Sequence, residues 1–218
     1  MDCSSSQMTI HVLKVLLTFK NDIGGIFHLH YAPVITLVLR LPELVGSPLS
    51  LNGLREDLQV SHQSVSRWIF MLENLYMLFR IYPFGAPKIR AVKKEAKHYH
   101  WDWTLVKEAG KRFENLVACH LMKWCCFLQD TEGREVELCF FRNIDKREMD
   151  FVLMEDGKPI HFIECKTAAK GTSRALKYLK KRFPDVRATQ VLLEDEKDLI
   201  DRDDIRICPA YLFLNKFV

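Results

Sequence analysis

The stretch EMDFVLMEDGKPIHFIECK, residues 148–166, decides how the second half of the chain is read. Two apolar runs flank Asp156 and Gly157, and Asp-Gly between such runs is a strong short-range sign of a β-hairpin. The expected strands are Glu148 to Met154 and Ile160 to Lys166. Charge sets this hairpin apart: Asp150 interrupts the first strand, and Glu164 and Lys166 end the second. Charged side chains in apolar strands are costly unless compensated, so a metal, a salt-bridge network or both are expected there. Register decides whether they meet, because directly opposed residues share a face. A two-residue turn pairs Asp150 with Ile163 and puts Glu164 on the wrong side. A three-residue turn through Lys158, or a bulge, pairs Asp150 with Glu164 and Glu148 with Lys166, all on one face. An odd-numbered turn or a bulge is therefore expected.

Two carboxylates side by side form a hard oxygen site suited to Mg²⁺ or Mn²⁺. Such an ion polarises a phosphate oxygen and acidifies a bound water. Lys166 stands where it orients that water or neutralises charge on phosphorus, with the Cys165 carbonyl as an extra ligand. The alternative is that Glu164 and Lys166 are a buried ion pair and nothing more.

Outward from the hairpin, Gly110 to Leu128 reads as an amphipathic helix, Val136 to Arg142 as a strand and Asn143 to Lys146 as a polar turn. Ser173 to Phe183 reads as a helix, Thr189 to Leu193 and Ile205 to Cys208 as strands. This order predicts a mixed sheet covered by helices over residues 105–218. Residues 47–104 predict a compact helical module: Asn52 caps a helix with Leu54 and Leu58, and Ser61 caps a second with Val65, Ile69, Leu72 and Leu75 as its buried stripe. Met77 to Tyr82, a turn at Pro83 to Gly85 and the alternating run His98 to Trp103 follow. Helix, turn, helix and two-stranded wing is the winged helix-turn-helix order, which places the second helix against DNA. His62, Gln63, Ser66 and Arg67 lie off the buried stripe, and Lys88, Arg90, Lys93, Lys94 and Lys97 crowd the wing. Residues 1–46 form a separate N-terminal segment, with His28 and His30 alternating as on a strand.

Composition bounds the rest. The 218 residues are 48% hydrophobic and 28% charged, with net charge +4, as in a globular protein of one large or two small domains. No apolar run is long enough for a membrane span. Asp2 and Lys14 spoil a signal peptide. Seven cysteines without CxxC spacing read as reduced thiols of a cytoplasmic protein. Cys125 and Cys126 read as core packing. Basic residues crowd 174–182 and seven acids crowd 194–204; basic patches dock phosphate backbones, and solvated faces are the alternative.

Asp150 with Glu164-Cys165-Lys166 resembles the PD-(D/E)XK, or restriction-endonuclease-like, superfamily. The resemblance implies an α/β fold of the α+β kind: an N-terminal winged helix-turn-helix, then a restriction-endonuclease-like mixed sheet flanked by helices. It makes Glu114, in Arg112-Phe113-Glu114-Asn115-Leu116-Val117, the outer metal ligand beside Asp150 and Glu164; a surface glutamate paired with Lys111 or Arg112 is the alternative. Arg174 and Tyr178 have the spacing of a Gln-x-x-x-Tyr element that touches DNA in some of these nucleases, with Arg in place of Gln. A broader likeness over residues 37–210 is carried by Leu49-Ser50-Leu51 to Val60-Ser61-His62, Phe79-Arg80-Ile81-Tyr82-Pro83-Phe84 and Lys97-His98-Tyr99-His100-Trp101-Asp102-Trp103. These resemble the C-terminal part of a prokaryotic AAA-like P-loop ATPase family, in which a winged helix joins a nuclease-like uncharacterised domain. Gly110-Lys111 and Gly157-Lys158 lack the glycine-rich cradle and the Ser/Thr of a Walker A loop, so no ATP site and no ATPase activity are expected. A truncated relative is expected, its residues 1–36 not inherited from the ATPase. Two functions follow as expectations. One is a Mg²⁺- or Mn²⁺-dependent phosphodiesterase acting on DNA. The other is a non-catalytic module binding nucleic acid or protein, or an inert remnant. No membrane partner is expected.

Overall fold

The computed structural model describes residues 31–84, 95–143, 147–168 and 171–217. His28, His30, Gly85, Lys88, Arg90, Lys93, Lys94 and the centre of the polar turn at 144–146 lie outside the described residues. The helical module opens with α1 (Tyr31–Arg40), where Val34, Leu37 and Val38 recur at helical spacing and are buried. A 3-10 turn follows at Leu41–Leu44, then α2 (Leu51–Leu58) and α3 (His62–Asn74). Ser50, not Asn52, caps α2: its Oγ accepts from the Gly53 amide at 3.2 Å. Ser61 caps α3 as expected, accepting from Ser64 N at 3.0 Å. Val65, Ile69 and Leu72 are fully buried against α1 and α2, and Leu75 packs at the edge of that cluster. His62, Gln63, Ser66 and Arg67 are exposed.

Strands β1 (Leu78–Pro83) and β2 (Lys97–His100) form an antiparallel pair. The alternating run does not continue to Trp103: Asp102 accepts from Thr104 N at 3.1 Å and starts a 3-10 turn instead. Then comes α4 (Ala109–Glu132), started by Glu108, which accepts from Gly110 N and Lys111 N, and stopped by Gly133 at φ 65°. Strands β3 (Val136–Arg142), β4 (Glu148–Glu155) and β5 (Lys158–Lys166) precede α5 (Arg174–Arg182). The chain continues through β6 (Arg187–Leu192), β7 (Leu199–Ile200), β8 (Arg206–Pro209) and α6 (Ala210–Leu214). Neither β7 nor α6 carries a pattern long enough to be read from sequence.

Among the described residues these strands make one mixed sheet in the order β2-β1-β3-β4-β5-β6-β8-β7. The helical module's hairpin is part of it, since Tyr82 pairs with Cys139 and Pro83 with Phe140. One face, with Phe151, Ile163 and Val191, packs on Phe113, Val117 and Leu121 of α4. The other, with Met149, Val152 and Phe162, packs on Ala175, Leu176 and Leu179 of α5. No helix among the described residues is long and apolar enough to cross a membrane.

Candidate functional site

The hairpin turn is the regular two-residue one: Asp156 and Gly157 have φ of 49° and 75°, the positive pair that a type I′ turn needs. Glu155 pairs with Lys158 and Met154 with Pro159, but Leu153 pairs with His161, leaving Ile160 as a bulge. A proline beside a bulge is where a strand tolerates one. The extra residue shifts the register by one, so Phe151 pairs with Ile163 and the next step places Asp150 opposite Glu164. The bulge, rather than the turn, does what the charges required.

A second bulge corrects the expectation that four charges share one face. Cys139 pairs with Val152 and Phe141 with Met149, so Asp150 and Phe151 together oppose the single residue Phe140. A bulge re-aims the side chains around it. Glu148 consequently reaches Lys97, at 2.6 Å, and not Lys166. Lys166 pairs with Glu164 at 2.6 Å. Asp150 Oδ2 accepts from the Cys165 amide at 2.8 Å, tying the ends of β4 and β5 together.

Glu164 is 4% exposed, and its Oε2 is buried without a hydrogen-bond partner. Burial first, and Asp150 second, push its carboxyl up to about 7, against the pull of Lys166 and Ser173. Asp150 is raised mainly by burial, with Lys97, the Cys165 amide and Lys166 opposing. Gln190, fully buried beside Glu164 on β6, accepts from Ser173 N at 3.0 Å and donates to Gly171 O at 3.1 Å. It thereby holds the start of α5 against the site.

Glu114 projects from α4 into a different set of partners. It accepts from Tyr99 Oη at 2.7 Å and lies 3.7 Å from Lys97 Nζ, while Lys111 turns away to the Glu43 carbonyl. Gly46, at φ 79°, passes so close that a Cβ there would stand 3.0 Å from Glu114 Oε2. Burial, then Asp150, raise its carboxyl to about 8. Lys97 is 1% exposed; burial works against its ammonium, but Glu114, Asp150 and Glu148 outweigh it and raise its pKa. Glu114 thus belongs to an internal network with Tyr99, Lys97 and Glu148, coupled electrostatically to Asp150 but already hydrogen-bonded. Sequence reasoning missed Gln190 and counted Lys97 with a basic surface cluster, whereas it is buried and paired with Glu148. A signal that could have placed Lys97 inside is its position at the head of a strand of otherwise aromatic residues, Lys97-His98-Tyr99-His100.

The remaining predicted residues fall outside this centre. Arg174 is exposed at the start of α5. The Tyr178 ring is covered, stacked on Phe141 with the Arg147 guanidinium 4.7 Å from its centre. The basic run and the acidic run partly neutralise each other, through Lys177–Asp203 at 2.9 Å and Lys180–Asp204 at 2.8 Å. Of the adjacent cysteines only Cys125 packs in the core; Cys126 is exposed. Among the described residues no group of three or more His, Cys, Asp or Glu is arranged to hold a metal ion.

Residues 109–213 match a domain of unknown function, DUF4143. That domain is typically found C-terminal to AAA-like ATPases, in line with the family likeness read from the motifs. It takes in α4, α5 and the strands β3 to β8, and leaves out β1 and β2. A second domain of unknown function, DUF8612, matches residues 19–115 and so reaches back beyond Leu37, where the motif likeness begins. No curated protein and no solved structure matches the chain.

The back of β2 yields a pH test. His98 Nε2 lies 2.8 Å from the Leu41 carbonyl, while His98 Nδ1 and both His100 nitrogens are buried without partners. Burial, chiefly, lowers His98 to about 3 and His100 to about 4. A base whose folded pKa lies below its unfolded value contributes stability above the unfolded pKa of 6.5, lost as pH falls through the folded one. Glu114 and Glu164 act in the opposite sense, because a raised carboxyl binds protons more tightly when folded. Only a single-site difference isolates the imidazole. His100→Leu is expected to gain about 2 kcal/mol on the wild type between about pH 7 and pH 5. Urea denaturation at both pH values measures it; a difference independent of pH would mean that His100 protonates in the folded state.

Proposed function

We propose that Asp150 and Glu164 hold one Mg²⁺ or Mn²⁺ ion and, with Lys166, hydrolyse a phosphodiester bond of DNA. The observation that carries this reading is the buried Glu164 Oε2 without a partner, on the residue next to the Phe151–Ile163 pair and so opposite Asp150 in the bulged hairpin. An unpaired buried carboxylate oxygen costs free energy, and a hard cation is what two such oxygens suit. Such an ion would polarise a phosphate oxygen and acidify water. The chain's own contributions are local: the Cys165 amide fixes the Asp150 carboxylate, and Lys166 offers an ammonium beside Glu164 to a scissile phosphate. Glu114 fits this role less well, because Tyr99 and Lys97 already occupy it. The helix-turn-helix order of α2, α3 and the β1–β2 pair supports a winged-helix role in delivering DNA, through exposed His62, Gln63, Ser66 and Arg67, with Arg174 in reach of the backbone.

Cleavage of DNA by the wild-type chain should require Mn²⁺ or Mg²⁺ and fall roughly 100-fold or more in Asp150→Ala and Lys166→Ala. Equal activity in all three proteins, or none from the wild type, would discard the hydrolytic reading. A second reading, a non-catalytic module that binds nucleic acid or protein, is favoured by Lys97, an internal ammonium already serving the carboxylates around Asp150. Exposed Phe70 on α3, with 58% of its surface open, suits a protein partner more than a phosphate backbone. Salt-dependent DNA binding without cleavage, or DNA-independent capture of a protein partner lost in Phe70→Ser, would favour that reading.

A further inference from the structure

The opposite end of the sheet, where β5, β6 and β8 begin, carries a cleft of about 780 Å³. That volume falls in the range of small-molecule sites. One wall is aromatic: Trp124 meets Phe217 edge to face at 5.3 Å, and Phe213 lies 4.9 Å from Phe217 and 5.9 Å from the His161 ring. His161 forms the floor, its Nε2 held 2.8 Å from Thr189 Oγ1.

The charges around the cleft divide into two groups. Arg134 is taken by Glu155 at 2.7 Å, Lys180 by Asp204 at 2.8 Å, and Arg206 by Asp198 through two bonds of 2.8 and 2.9 Å. Arg187 and Lys216 make no ion pair among the described residues, and neither does the acid Asp185 on the same lining. Arg187 pairs directly beside His161 in the parallel ladder. Arg187, Lys216 and Arg206 all act on His161 in the same sense, against its protonation, with burial the larger cause. The lining carries five cations, Arg134, Lys180, Arg187, Arg206 and Lys216, against three acids, Glu155, Asp185 and Asp204, which leaves it an excess of positive charge. Field focused in a cleft with low-dielectric walls attracts an anion, and a planar apolar wall beside it favours a ring.

We propose that this cleft binds a small aromatic phosphate of mononucleotide size, its phosphate between Arg187 and Lys216 and its ring against Trp124 and Phe217. The site is separate from Asp150 and Glu164 and does not depend on their chemistry. Calorimetric titration with AMP, adenosine and inorganic phosphate tests it on the full chain. AMP is expected to bind with Kd on the order of 10⁻⁴ M, inorganic phosphate more weakly and adenosine more weakly still. The double variant Arg187→Ala/Lys216→Ala should lose roughly 10-fold in AMP affinity, and Trp124→Leu should weaken AMP while leaving phosphate unchanged. Both altered cations lie at the cleft rim without ion pairs, so the double variant should fold as the wild type does by circular dichroism. Asp150→Ala should bind AMP as the wild type does, which separates this cleft from the hairpin site. No binding of AMP up to about 10 mM, or binding unchanged in the double variant, would overturn the proposal. AMP binding lost in Asp150→Ala would overturn it too, by moving the ligand to the hairpin.

Discussion

Lys97→Met is expected to destabilise the fold by about 3–5 kcal/mol, the cost typical of removing one partner from a buried ion pair. The ammonium is almost fully enclosed, 2.6 Å from Glu148 and 3.7 Å from Glu114, over the ring of Phe140. Methionine keeps the stem and its packing, so the measured loss isolates the charge. What remains is a set of carboxylates, Glu114, Glu148 and Asp150, whose main internal cation has gone; Arg142, at 3.9 Å, is the nearest substitute for Glu148. The double variant Lys97→Met/Glu114→Gln should recover part of the loss, because the amide keeps an acceptor for Tyr99 without a charge to compensate. Urea unfolding of the three proteins decides it. A loss under about 1 kcal/mol for the single variant would show that water, rather than Lys97, compensates these carboxylates.

Asn115→Ala should cost about 2–4 kcal/mol by the same measurement. β2 is the edge of the sheet, and the fully buried Asn115 takes the place of a neighbouring strand. Its Oδ1 accepts from His100 N at 2.9 Å and its Nδ2 donates to His100 O at 2.6 Å. Alanine leaves a buried amide and a buried carbonyl, each worth about 1–3 kcal/mol when unpaired. Cys119 Sγ still reaches that carbonyl at 3.1 Å and softens the loss. Asn115→Asp should fare no better, since it keeps the acceptor but gives up the donor and buries a charge. A variant within about 0.5 kcal/mol of the wild type would mean that water reaches the edge of β2.

The bulges explain why the hairpin was only partly legible. Alternation and Asp-Gly predict strands and turn from local preference alone, and both predictions hold within a residue or two. An unpaired Ile160 has no local signature beyond Pro159, yet it decides whether Asp150 faces Glu164. The second bulge, opposite Phe140, depends on a strand from elsewhere in the chain, so the expectation that Glu148 meets Lys166 had no means of being corrected locally. In the helical module the buried stripe of α3 and the Ser61 cap were readable because both are periodic or contiguous. The cap of α2 was misread by two residues, since Ser50 and Asn52 are both good caps and only the helix start separates them. β2 was misjudged at its end, because Asp102 bonds its own backbone locally and stops the strand.

What the sequence by itself determined is the set of elements with local cause: the periodic helices, the Asp156-Gly157 turn and the charged residues that apolar strands cannot leave unanswered. The tertiary structure alone decided which charges answer one another. Lys97 from the helical module's hairpin takes Glu114 and Glu148, and Lys166 takes Glu164, leaving one buried Glu164 carboxylate oxygen without a hydrogen-bond partner. Ion pairs between residues as far apart as Lys97 and Glu148 follow from register and burial, and no local spacing encodes either.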